Sequence, residues 1–160
     1  MNQGRVTQFG PTIDVYRRPV DLDSAGIFAD PPLNTLDVTK SGDIFTRPSG
    51  ATLSVPSHLA AVPNGPVTIA FHPHHLGLRA QTGDAARLQA RTLVSEITGS
   101  ESFVHLEYDG VRWVMLAHGI HDIDPDIEIE AFLDTRHLMA FGADGRAIAA
   151  VGAVAAAGKA

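Results

Sequence analysis

The sequence predicts a mainly β domain, a small β-barrel or sandwich headed by two short helices. Three observations carry this. Beyond residue 32 the apolar residues fall in short β-branched or aromatic runs, such as ATLSVP and VTIAF, punctuated by glycine and proline. The stretch ARTLVSEITGSESFVHLEYDGVRWVML alternates and then turns at Asp109-Gly110, a strong hairpin signal. Helical periodicity is nearly absent over the same region.

Taken in order, GPTIDVYRRP reads as a helix with Thr12 as its cap, Ile13, Val15 and Tyr16 as its apolar residues, and Pro19 as its stop. DLDSAGIFADPP reads as a second helix, capped by Asp21, with Leu22, Ala25 and Phe28 on one side and the breaker pair Pro31-Pro32 after it. TLDVTKSGD alternates and turns at Ser41-Gly42, and ATLSVP and VTIAF supply further strands. Phe103, His105 and Glu107 alternate with Val104, Leu106 and Tyr108, and the residues 111–115 form the returning strand. DIEIEAFLD sets Ile127, Ile129 and Ala131 against Glu128, Glu130 and Phe132. From about Val151 the alanine-rich end reads as a frayed tail.

Composition narrows the function. A chain of 160 residues with 44% hydrophobic residues suits one domain with a real core. A net charge of -6 argues against a nucleic-acid partner, because phosphate backbones need a basic surface. The absence of cysteine excludes disulfides and thiolate metal sites. The longest apolar run, AIAAVGAVAAAG, is 12 residues, well short of the roughly 20 needed to span a bilayer. The polar N-terminus, MNQGRVTQFG, has no signal core. There is no phosphate loop, dinucleotide fingerprint, zincin motif or nucleophile elbow.

The stretch VTIAFHPHHLGL places three histidines within four positions. On a strand His72 and His74 share one face and could bind zinc together with a carboxylate. Pro73 and His75 point instead to a turn, and His118 and His121, followed by Asp122 and Asp124, lack matching spacing. Packed or solvated loop histidines are the stronger reading. HDIDPDIEIE gathers five carboxylates. Without the glycine and spacing of a calcium loop, it reads as a solvated strand edge rather than a calcium site or catalytic pair. Tyr108 and Trp113 read as core or interface aromatics.

The order of the fragments adds a resemblance. In GRVTQFGPTIDVYRRPVDLDSAGIFADPPLN, residues Gly4, Arg5, Val6, Gln8, Gly10, Tyr16 and Pro19, then Ala25, Pro31 and Asn34, match the segment that ends the ATP-binding domain of ABC importers of the maltose and glycerol-phosphate type. AFHPHHL falls where that family has G-[IV]-R-P-E-H. Pro73 and His75 match, while His72 and His74 replace the arginine and the glutamate. VSEITGSESFVHL matches V-x-E-x-L-G-x-E-x-x-V-H at Val94, Glu96, Gly99, Glu101, Val104 and His105. AFGADGRAI matches the closing L-F-D-x-D-G-x-A-I at Phe141, Asp144, Gly145, Ala147 and Ile148.

The resemblance implies the C-terminal regulatory (TOBE) domain of such a subunit, with an OB-fold-like (MOP/TOBE) barrel. Residues 1–30 would then be the trailing segment of the ATP-binding domain and linker, residues 31–150 the barrel, and residues 151–160 a disordered tail. ATP and magnesium would belong to the preceding domain, and this segment would hold no cofactor and catalyse nothing. Expected partners are a second copy, permease subunits reached through the full-length protein, and a regulatory protein or small effector. The expected location is cytoplasmic, peripheral on the inner face of the membrane. The candidate regulatory or interface surface is His72, Pro73, His74, His75, Glu101, Tyr108 and Trp113. Two alternatives remain at this stage: a stand-alone module for a small oxyanion or other ligand, and a metalloenzyme centred on His72 and His74.

Overall fold

The computed structural model of the protein describes residue 6 and residues 8–27 and 29–149. Phe28 and the expected tail over 151–160 lie outside these. Two short helices lead the chain, α1 (Thr12–Arg17) and α2 (Leu22–Ile27). The strands are β1 (Asn34–Ser41), β2 (Ile44–Thr46), β3 (Thr52–Ser54), β4 (Gly65–Phe71), β5 (Leu76–Gly77), β6 (Ala85–Ile97), β7 (Glu101–Tyr108), β8 (Val111–His118), β9 (Glu128–Asp134), β10 (Met139–Phe141) and β11 (Ala147–Ala149). They form a six-stranded sheet, β11-β10-β4-β1-β2-β3, and a five-stranded sheet, β5-β9-β6-β7-β8, both antiparallel. The architecture is mainly β and barrel-like, as the sequence predicts.

The two helix caps come out differently. Asp21 caps α2, accepting from the Ser24 amide at 2.7 Å. Thr12 does not cap α1. Pro11 takes that place, with ψ at 137°, and its carbonyl accepts from the Asp14 and Val15 amides. Thr12 is therefore the first helical residue, because the proline ring already fixes the non-helical turn before it.

One core fills the space between the sheets. Alternation along β1 turns Leu36 and Val38 inward. They meet Ile69 and Phe71 from β4, and Leu88, Val104, Leu106, Met115 and Leu133 from the other sheet. Along β7 Ser102, Val104, Leu106 and Tyr108 are buried, while Glu101, Phe103, His105 and Glu107 line the outer face. A period of two is what a sheet with one buried face requires.

The seam between the sheets is closed by polar groups as well. Asn34 at the start of β1 donates to the Val114 carbonyl and accepts from the Val114 amide, both at 2.8 Å. It thus satisfies the backbone amide and carbonyl of half-buried Val114 on edge strand β8. Trp113 donates its indole N–H to the Thr35 carbonyl at 2.9 Å. A second, smaller cluster of Ala25, Ala70, Met139 and Phe141 seats α2 on the first sheet. Backbone bonds from Leu22 to Gly145 and from Ala147 to Val20 tie the chain entering α2 to the closing hairpin.

Candidate functional site

The histidine-rich stretch is a single 3-10 turn, Pro73–His75, following β4; His72 stacks on His74 and His75 on His137, while His75 is edge-on to His72 and tilted at 60° to His74. The Tyr16 and His72 rings lie 4.6 Å apart at 17°. His72 and His74 are 5.5 Å apart at 17°, and His75 lies 4.1 Å from His74. His75 in turn stacks at 4.1 Å and 9° on His137, which belongs to the turn Thr135–His137 after β9. Among the described residues no group of three or more metal-ligating side chains is disposed to hold an ion.

Burial keeps these rings neutral. Desolvation, followed by the neighbouring imidazoles His74 and His137, pushes the His72 pKa down to about 4. The same causes push His75 down to about 3, with the Asp134 charge opposing them, and the buried His75 Nδ1 has no partner. His74 is also lowered, by desolvation first, then by His137 and His118. Asp134 is held below the usual carboxylate range by the Arg136 guanidinium, which forks onto it from Nε at 2.9 Å and Nη2 at 2.7 Å. His137 Nε2 lies 3.8 Å from the same carboxylate. Of the surface expected here, His74 is exposed and His75 half-buried, but His72 and Pro73 are corrected to buried positions, packed where β4 ends. Sequence reading missed His137 and Asp134, which are some sixty positions along the chain and carry no motif.

The hairpin half of the expected surface divides. Glu101 stays on the outer face, 3.6 Å from His118. Tyr108 and Trp113 are corrected from surface to core. They are 8% and 1% exposed, and their rings stack at 4.9 Å, with Phe71 edge-on to Trp113. The inward phase of β7 and β8 puts them there. The same pairing brings together two residues that the resemblance singled out: His105 Nε2 meets Glu96 Oε1 at 3.2 Å across β6 and β7. Gly99, between these strands, has φ of +96°, a conformation that favours glycine. The carboxylates of the run from His121 to Glu130 do not converge. Asp122, Asp126 and Glu128 are exposed, and the run is tied to β6 through Thr92, whose hydroxyl donates to the Asp124 carbonyl at 2.6 Å.

No family model matches the chain. Among curated proteins, an ABC transporter ATP-binding protein, y4oS, of Sinorhizobium fredii is 30% identical over 132 residues, covering 81% of this chain and 34% of that one. By these relatives the chain belongs to the family of ABC-importer ATP-binding proteins. More particularly, they include the sn-glycerol-3-phosphate import ATP-binding proteins UgpC 2 of Rhizobium johnstonii, 33% identical over 110 residues, and UgpC of Rhizobium meliloti, 30% identical over 151 residues. The latter match covers 91% of this chain and 40% of that protein, and the chain spans about a third of the length of the curated relatives it matches. Among solved structures, the molybdate-bound cytoplasmic protein ModG overlaps with a TM-score of 0.45 at 13% identity, covering 74% of this chain and 96% of that one.

Proposed function

We propose that the chain is the regulatory and dimerisation domain of the ATP-binding subunit of an ABC importer for a sugar or glycerol phosphate, and that it catalyses nothing itself. The observation that carries this reading is the match over most of the chain to about a third of each transport ATP-binding relative. The chain has no phosphate loop, so nucleotide binding falls to a part of such a subunit that this sequence does not contain.

The work left to a barrel of this kind is mechanical. Two copies meeting through one self-complementary patch hold two ATP-binding halves near each other and raise their effective concentration. His74 in the 73–75 turn and the outer face around Glu101 are the surfaces offered for that contact or for a regulatory partner. In that setting the domain works in the cytoplasm on the inner face of the membrane, attached to permease subunits through the rest of the protein. Among the described residues no helix is long and apolar enough to cross a membrane.

Two measurements on the chain test the reading. Sedimentation velocity from about 1 to 100 µM should show a concentration-dependent dimer; a monomer throughout defeats the dimerisation half. Equilibrium dialysis with ATP and magnesium should show no tight binding. Micromolar affinity would defeat the assignment as a domain lacking the nucleotide site.

A further inference from the structure

We propose that the outer face of β6, β7 and β8 is a self-complementary patch that docks on the same patch of a second copy of the chain. This rests on the dimerisation reading above and deepens it by naming the face and the pairing across it. Register fixes which side chains share that face. Val94 lies opposite His105, and His105 opposite Val114. Glu96 lies opposite Phe103, and Glu107 opposite Arg112. The alternate residues Val104, Leu106, Trp113 and Met115 fill the core, so this set points away from it.

The face carries two hollows of about 210 Å³ each, which meet at His105 and Val114. Val94 and Arg112 line the first. Phe103, Glu96 and the 30–32 segment line the second. Val94 is 48% exposed, and Phe103 and Val114 are half-buried, so both hollows offer apolar surface to a partner.

The charges select that partner. Arg112 is exposed, and its cross-strand neighbour Glu107 is taken by Arg91 at 3.0 Å. No carboxylate among the described residues pairs with Arg112. In the second hollow Asp30 likewise has no ionic partner among the described residues. Glu96 meets only His105, at 3.2 Å, a group charged only when protonated. Arg112 and Glu96 thus stand at opposite corners, on the strands either side of His105. A two-fold axis over His105 lays the first hollow of each copy on the second hollow of the other. Arg112 of each copy then faces Glu96 and Asp30 of the other, and both pairs form at once. Docking like hollow on like would oppose like charges, so the polarity fixes one orientation. The patch spans about 15 Å by 20 Å. That is at the low end of specific interfaces, so the dimer should be weak, with a Kd in the micromolar range.

Sedimentation velocity from about 1 to 100 µM, with a charge exchange, tests this. The parent should dimerise. Arg112→Glu alone and Glu96→Arg alone should each weaken the dimer by about tenfold or more, because each sets like charges face to face twice. An equimolar mixture of the two variants should restore it, since the mixed dimer regains both pairs. Both side chains are exposed, so each variant should keep the circular dichroism spectrum of the parent. A parent that dimerises no more tightly than either variant overturns the proposal and leaves the dimerisation reading standing. So does loss of the dimer in both variants with no recovery on mixing. A parent that stays monomeric defeats both.

Discussion

His72 is 7% exposed between Tyr16 and His74, and it stays neutral far below the pH at which a free imidazole takes up a proton. The consequence for stability has a definite sign. Below about 6.5 the unfolded chain binds a proton that folded His72 refuses until about 4, so stability falls as pH drops through that window and levels off below it. The loss from this residue is on the order of 3 kcal/mol. Replacing it with His72→Phe keeps the stack on Tyr16 and removes the titration. Thermal melts between pH 7 and 4 should then show a shallower decline than the parent; parallel curves would refute the assignment. Asn34 offers a second test. Its side chain is the partner of both polar groups of Val114, so Asn34→Ala strands them and should cost about 2–3 kcal/mol in chemical denaturation. The histidine run itself was legible in the sequence, because three like residues in four positions need no fold to be noticed. Its partners His137 and Asp134 were not, because the pairing of β5 with β9, which brings the two turns together, leaves no local mark.

Among the elements, the β7–β8 hairpin was the most completely written in the sequence. Asp109 and Gly110 have φ of 48° and 76°, both positive, as a two-residue turn matched to strand twist requires. Gly110→Ala forces a Cβ into that conformation and should cost about 1 kcal/mol. The turn is also clamped from outside. Arg47 donates to the Asp109 carboxylate at 2.6 Å and to the Asp37 carbonyl at 2.6 Å, linking the end of β2 and strand β1 to the hairpin tip. Arg47→Ala should therefore destabilise the protein even with Gly110 intact, and denaturation of the double mutant should show less than additive loss, since both changes act on one turn. Strands of two or three residues, such as β5 and β10, escaped sequence reading. Their burial is complete or nearly so, and a run that short has no period to detect. Thr12 misled for the opposite reason: its local pattern fits a cap, but the proline ahead of it had already taken the position.

At the scale of the whole molecule the two helices are held by unequal means. α2 is anchored by Ala25 against Met139 and Phe141, by the Asp21 cap, and by the backbone bonds around Gly145 and Val20. α1 has one buried residue, Val15, and a single ring contact of Tyr16 on His72, while Ile13 is 53% exposed. A six-residue helix is not stable alone, so its order depends on what it touches. The barrel, by contrast, shares one core between both sheets and should open only as a unit. Native-state hydrogen exchange should therefore find the amides of β4 and β7 opening with the global free energy. The amides of α1 should exchange through a local opening that is several kcal/mol cheaper. Acidification to about pH 4 should lower α1 protection first, as protonated His72 loses its neutral stack with Tyr16. If α1 proves as protected as β4, or if its protection does not change with pH, then the stack on His72 is not what holds the helix against the barrel.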